Sequence, residues 1–172
     1  PQWYALMARR HMHEYGTTHE QFGAVAVAMR RHAQLNPAAV MHGKPLTLAD
    51  YLASPMLADP YRVNDCCLET DGAAACIVTT PERARDLGKR PVYIMGAAAG
   101  QPYPADEITN RKDFHRVGLS IAAPEAFAMA GVAPADADFA QIYDCFTFEV
   151  IQQIEAAGFC ARGEGGPFVE NG

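Results

Sequence analysis

Apolar positions recur at helical spacing through the first third of the chain, and the polar residues between them mark where each helix should start and stop. Trp3, Leu6, Met7 and Arg10 share one stripe of a helix predicted over residues 2–15. Gly16 stands where a left-handed glycine commonly closes a helix. Thr17 and Glu20 then fit a capping box, in which hydroxyl and carboxylate each satisfy an orphan backbone donor. Phe22, Val25, Ala26 and Met29 give the apolar stripe of a second helix running to about Ala33, stopped by Asn36-Pro37. Residues 35–46 read as loop, and Thr47 with Asp50 offers a second box for a short helix ending at Ala53.

Beyond this point the pattern changes. Residues 65–69 and 73–79 read as strands separated by Asp71-Gly72, a hairpin signal; the small residues after it fit close backbone packing in a buried strand equally well. Thr80-Pro81-Glu82 reads as N-cap, proline at N1 and an acid in the first turn of a short helix to Leu87, ended by Gly88. Residues 91–99 are expected to form a second buried strand. Residues 100–118 form a long polar connection with Pro102 and Pro104, long enough to suggest a binding loop. The last third reads as a helix over 120–130 followed by Gly131, a strand over 139–145, and a helix over 146–157 closed by Gly158. Alternating helices and strands predict an α/β class with crossover connections.

Composition narrows the function classes. A chain of 172 residues with 49% apolar and 20% charged residues has the make-up of one globular domain. Its 14 basic and 20 acidic side chains leave a net charge of -6, which argues against nucleic acid or an anionic membrane as main partner. Apolar runs such as Ala73 to Val78 are far too short to span a bilayer. Five cysteines, an odd number, suggest reduced thiols and a cytoplasmic setting. The chain opens on Pro1 with a helix under way and closes on a Gly-rich stretch over 163–172 with nothing evident to dock it. A piece of a longer protein is the expectation.

Candidate chemistry is sparse. His11 and His13 are two apart and face different sides of a helix, so they cannot clamp one metal ion, and no Cys-x-x-Cys occurs. Gly163, Gly165 and Gly166 lack the lysine of a phosphate loop, and Gly96 to Gly100 lacks the dinucleotide spacing. No Gly-x-Ser-x-Gly elbow is present. Cys145, at a strand-to-helix junction, would have its thiol pKa lowered by the helix N-terminus, or is simply a small buried thiol. Tyr143 and Asp144 occupy the same junction, where α/β sheets usually carry active residues. A phenol there either bonds to backbone as a structural group or moves a proton to or from a substrate oxygen.

Three ordered motifs carry a family resemblance. Tyr15-Gly16-Thr17-Thr18 follows Arg9 to Glu14; Asp65-Cys66-Cys67-Leu68-Glu69-Thr70-Asp71-Gly72 precedes Ala73 to Ala75; and Tyr143-Asp144-Cys145-Phe146-Thr147 opens the last helix. With Gly165-Gly166 to Asn171-Gly172 approaching a Gly-rich turn, the sequence resembles the thiolase superfamily, in its branch of sterol-carrier-protein thiolases and nonspecific lipid-transfer-protein enzymes. The resemblance implies a layered α/β fold of two similar halves, present in part: residues 1–88 as the end of the N-terminal half with its helical loop region, and residues 89–172 as the start of the C-terminal half. It implies chemistry on acyl-CoA thioesters in the full-length protein, with no cofactor and no metal, and little activity from this piece alone.

Tyrosine at position 143, where sterol-carrier-type thiolases have His and other thiolases Asn, is similar to the lipid-transfer-protein aldolases of steroid side-chain degradation. These cleave a β-hydroxyacyl-CoA into a ketone and a shorter acyl-CoA. The resemblance thus makes Tyr143 the acid/base group or a donor to the same oxygen. Its phenol pKa must be depressed for it to act as a base; otherwise it acts as the acid. Cys67 falls where thiolases place a small residue beside the pantetheine arm, a substrate-binding role. Acyl transfer and a non-catalytic acyl-CoA carrier are the alternatives to the aldolase. Homodimerisation through the thiolase sheet and an OB-fold and zinc-ribbon partner protein are further implications.

Overall fold

Two long helices and the turn joining them begin the core of the computed structural model, which describes residues 1–104 and 111–170. The first helix, α1, spans Gln2–Tyr15 and ends at Gly16, whose φ of 76° is the left-handed conformation that favours glycine. The second, α2, spans His19–Gln34. Its capping box lies one residue later than the sequence suggests. Thr18 accepts from the Gln21 amide, and the Gln21 side chain accepts from the Thr18 amide. Thr17 is unavailable as the cap because it is buried with its hydroxyl on His11 Nδ1 at 2.7 Å. The short helix α3, Leu48–Ala53, uses the expected Thr47 and Asp50 box.

After α3 the chain makes a small antiparallel hairpin that periodicity did not indicate. Strands β1 (Met56–Ala58) and β2 (Tyr61–Arg62) pair around Asp59-Pro60. The hairpin is too short to show an alternating pattern, yet it buries Tyr61 completely. Helix α4 (Pro81–Asp86) follows, with Thr80 accepting from the Arg83 amide as its N-cap. Next come α5 (Leu119–Ala130), closed by left-handed Gly131, and α6 (Thr147–Ala156). Phe22 of α2, Tyr51 of α3, Tyr61, and Phe148 and Ile151 of α6 are fully buried in one apolar cluster. That cluster joins the two ends of the sequence.

Among the described residues this hairpin is the only sheet, so the strands expected over 65–69, 73–79, 91–99 and 139–145 do not form ladders. What remains is an isolated antiparallel bridge between Cys66 and Phe146. A strand needs a neighbour for its main-chain groups, and among the described residues these runs find none beyond that single bridge. Ile77 is accordingly 88% exposed and Val92 94% exposed. The run over 96–100 instead lies against α5. A Cβ on Gly96 would come within 2.2 Å of the Ala126 carbonyl oxygen, and one on Gly100 within 2.3 Å of that of Gly118. Small residues here allow backbone to touch helix.

The Gly-rich C-terminal stretch is docked, contrary to expectation. Gly165–Val169 forms a short helix, α7, with Gly165 and Gly166 buried. The Gly165 amide donates to Glu155 of α6 at 2.9 Å, and Gln21 of α2 donates to Glu170 at 2.8 Å. Of the long connection over 100–118, residues 105–110 lie outside the described residues, as do Asn171 and Gly172. Its far end is anchored by buried Phe114 and His115.

Candidate functional site

The segment that leads into α6 meets the segment that leaves β2, and their meeting builds the site. Cys66 faces Phe146 across the antiparallel bridge, and the Cys67 amide donates to the Cys145 carbonyl at 3.0 Å. Beneath them Asp65 ties three elements together. It is buried and accepts from the Tyr51 hydroxyl at 2.8 Å, the Arg62 amide at 2.6 Å and the Thr147 hydroxyl. Burial raises its pKa, while these donors pull the other way. Phe146 stacks on Tyr61 with ring centroids 5.0 Å apart. Two chain segments remote in sequence are thereby locked into one junction.

The junction presents Tyr143 to solvent with its side chain 71% exposed. It is held through its carbonyl, which accepts from Gln153 Nε2 at 2.7 Å; the same amide donates to the Glu149 carbonyl at 2.8 Å. The phenol pKa is raised, first by Cys145, then by slight desolvation and by Cys67. The two residues singled out in the sequence, Tyr143 and Cys67, therefore sit within electrostatic reach of one another. A phenol is already protonated at neutral pH at its ordinary pKa of about 10, and the upward shift takes it further from acting as a base.

Of the two readings of Cys145, the structure fits the small, half-buried thiol and not the lowered thiol pKa. Desolvation, followed by the Glu149 carboxyl, pushes it up to about 11. The helix N-terminus is outweighed, because a half-buried thiolate beside a carboxylate is disfavoured on both counts.

Behind the junction lies a cavity of about 350 Å³. Cys67 and Asp144 line one side, and Val25, Met29 and Arg30 of α2 line the other. Tyr143 does not line this cavity; Cys67 is the residue common to both. Its lining mixes apolar side chains with one cation, Arg30, and two carboxylates, Asp65 and Asp144.

One buried group, Glu149, escapes the sequence reading, which weighs His11 only as a metal ligand. Glu149 accepts from the Tyr61 hydroxyl at 2.8 Å, its other oxygen has no protein partner, and burial pushes its pKa up to about 7. His11 is fully buried between Thr17 and Glu155, 3.2 Å from the latter, with His115 5.1 Å away ring to ring. Glu149 falls on the apolar stripe of α6, four residues after Cys145, and that charged residue in a buried position was the available signal.

Known proteins agree with this architecture. Residues 100–172 match the family described as thiolase C-terminal domain-like. The steroid side-chain-cleaving aldolase of Thermomonospora curvata is 42% identical over 99% of this chain and 44% of its own length. The 17-hydroxy-3-oxo-4-pregnene-20-carboxyl-CoA lyase of Mycobacterium tuberculosis is 43% identical over 98% of this chain and 44% of its own. An acetyl-CoA acetyltransferase of Methanothermobacter thermautotrophicus is 40% identical, covering 100% and 44%. The solved Ltp2-ChsH2(DUF35) aldolase superposes with a TM-score of 0.93 at 41% identity, covering 99% of this chain and 45% of that one. The chain thus spans less than half the length of the relatives it matches. With the fold, the junction motif and these similarities in agreement, the chain is a partial α/β thiolase-like fold, similar to the sterol-carrier thiolases and lipid-transfer-protein aldolases of the thiolase superfamily.

Proposed function

We propose that the full-length protein is an aldolase that cleaves the carbon–carbon bond of a β-hydroxyacyl-CoA, and that Tyr143 is its proton donor. In this reaction a base takes the β-hydroxyl proton, the Cα–Cβ bond breaks, and the hydroxyl carbon becomes a ketone. The bonding electrons pass to the thioester as an enolate. A protonated phenol stabilises the enolate oxygen or delivers its proton to the new acyl-CoA, so no net charge or redox change is left behind. The observation that carries the reading is the Tyr143 phenol, exposed at the junction beside Cys145 and Cys67. Cys67 and the cavity beside it would receive the pantetheine arm, with Arg30 suited to an anionic part of the coenzyme.

The resemblance to relatives named as an aldolase and as a CoA lyase supports this chemistry. The name of the solved aldolase joins Ltp2 to ChsH2(DUF35), which supports a partner protein; its OB-fold and zinc-ribbon type rests on the family resemblance. Exposed apolar runs at Ile77–Val78 and Val92–Met95 suit further strands and a homodimer contact in the whole protein.

Replacement of Tyr143 by Phe in the full-length protein, assayed with its partner present, tests the role. Loss of the donor should lower the cleavage rate by about 10²-fold or more with little change in KM; an unchanged rate overturns the assignment. Acyl transfer is the second reading, favoured by the acetyl-CoA acetyltransferase relative. Free CoA as an obligatory co-substrate distinguishes it, because retro-aldol cleavage consumes none.

A further inference from the structure

Cys67 and Cys145 lie opposite each other at the junction, one step along the register from the Cys66–Phe146 bridge. The Cys67 amide donates to the Cys145 carbonyl at 3.0 Å. Facing residues of an antiparallel register have Cα atoms about 4.5–5.5 Å apart, inside the range of roughly 4.4–6.8 Å found for disulfides. Residues paired in this way project their side chains from the same face. The influence of Cys67 on the Cys145 thiol agrees with that placement. Cys66, the adjacent thiol, is turned away, with Sγ 3.7 Å from the Arg62 carbonyl. All five cysteines are free thiols, with Cys67 exposed and Cys145 half-buried.

We propose that Cys67 and Cys145 are a redox modification site that closes into a reversible disulfide across the junction when the protein meets a peroxide. The exposed Cys67 thiolate attacks a peroxide oxygen, the O–O bond breaks, and Cys67 becomes a sulfenic acid with release of water. Cys145 then attacks the Cys67 sulfur, the S–O bond breaks, and a second water leaves. One peroxide is reduced by two electrons as two thiols become one disulfide. Cys145 is the resolving partner because its burial keeps it from attacking the oxidant first. Neither step depends on the aldolase reading, although the bond would stiffen the segment that presents Tyr143.

The test oxidises the full-length protein with hydrogen peroxide and maps disulfides by mass spectrometry without reduction. The expected product joins the tryptic peptide of residues 63–83 to that of residues 117–162, with fragmentation locating the link at Cys67 and Cys145. Dithiothreitol should reverse it, C67S and C145S should each abolish it, and C66S should retain it. Protection of Cys67 and Cys145 from iodoacetamide in the oxidised wild-type protein gives the same answer without any variant. Linkage through Cys66, Cys76 or Cys160, or Cys67 recovered only as unlinked sulfinic acid, overturns the proposal. Catalytic rate is not the readout, so an inactive Tyr143→Phe variant leaves this result interpretable.

Discussion

Tyr61 donates its phenolic hydrogen to Glu149 at 2.8 Å, joining the β-hairpin to α6 across 88 positions of sequence. Both side chains are buried, and the second Glu149 oxygen has no protein partner. The pair is a point where pH acts on the fold.

Burial raises the Glu149 pKa from 4.5 to about 7. The folded state therefore keeps a proton that the unfolded chain releases between those values, and stability falls as pH rises through that window. Relative to Glu149→Gln, the wild-type protein should lose about 3 kcal/mol between pH 4.5 and 7. Removing the donor in Tyr61→Phe should cost about 1–3 kcal/mol at neutral pH. Urea denaturation at a series of pH values measures both; parallel curves for wild type and Glu149→Gln would refute the assignment.

His115 acts in the opposite sense. Desolvation, then the neighbouring His11, pushes its pKa down to about 4, against the pull of Glu14, 3.3 Å from its Nε2. The unfolded chain takes up a proton below pH 6.5 that the folded state refuses until about 4, so this contribution to stability is lost as pH falls through that range. The ring resonances of His115 in NMR spectra should stay flat from pH 8 to 5.5. A midpoint near 6.5 would show the ring to be solvated.

Two glycines separate steric from conformational need. A Cβ on Gly166 would meet Gln21 Oε1 at 2.2 Å, whereas one on Gly16 meets nothing within 4 Å but stands at φ 76°. Gly16→Ala should cost about 1–2 kcal/mol through backbone strain alone. Gly166→Ala should cost about 1–3 kcal/mol through displacement of Gln21, which also holds the α2 cap and Glu170. Combining Gly166→Ala with Gln21→Ala should recover little of the loss if the cap matters, and thermal unfolding reports the difference.

Helices were legible because their signals are local. The Thr47–Asp50 box, Thr80 before Pro81, and the glycines at 16, 131 and 158 each act within a few residues of the helix they bound. Strands were misplaced because an apolar run such as residues 91–99 records only that it is to be covered, not by what. The hairpin at 56–62 and helix α7 were missed because neither is long enough to show a period. Both are held by distant partners, Glu149 for Tyr61 and Glu155 for Gly165.

The sequence alone determined the helical stripes, their caps and the motif around Tyr143, since propensity and capping depend on near neighbours. Only tertiary structure decided that Cys67 would face Cys145, that Asp65 would gather three donors, and that Glu149 would be buried beside a phenol. Those outcomes arise from burial and from charges brought close by folding, and chain order does not encode the distance between residues 78 positions apart.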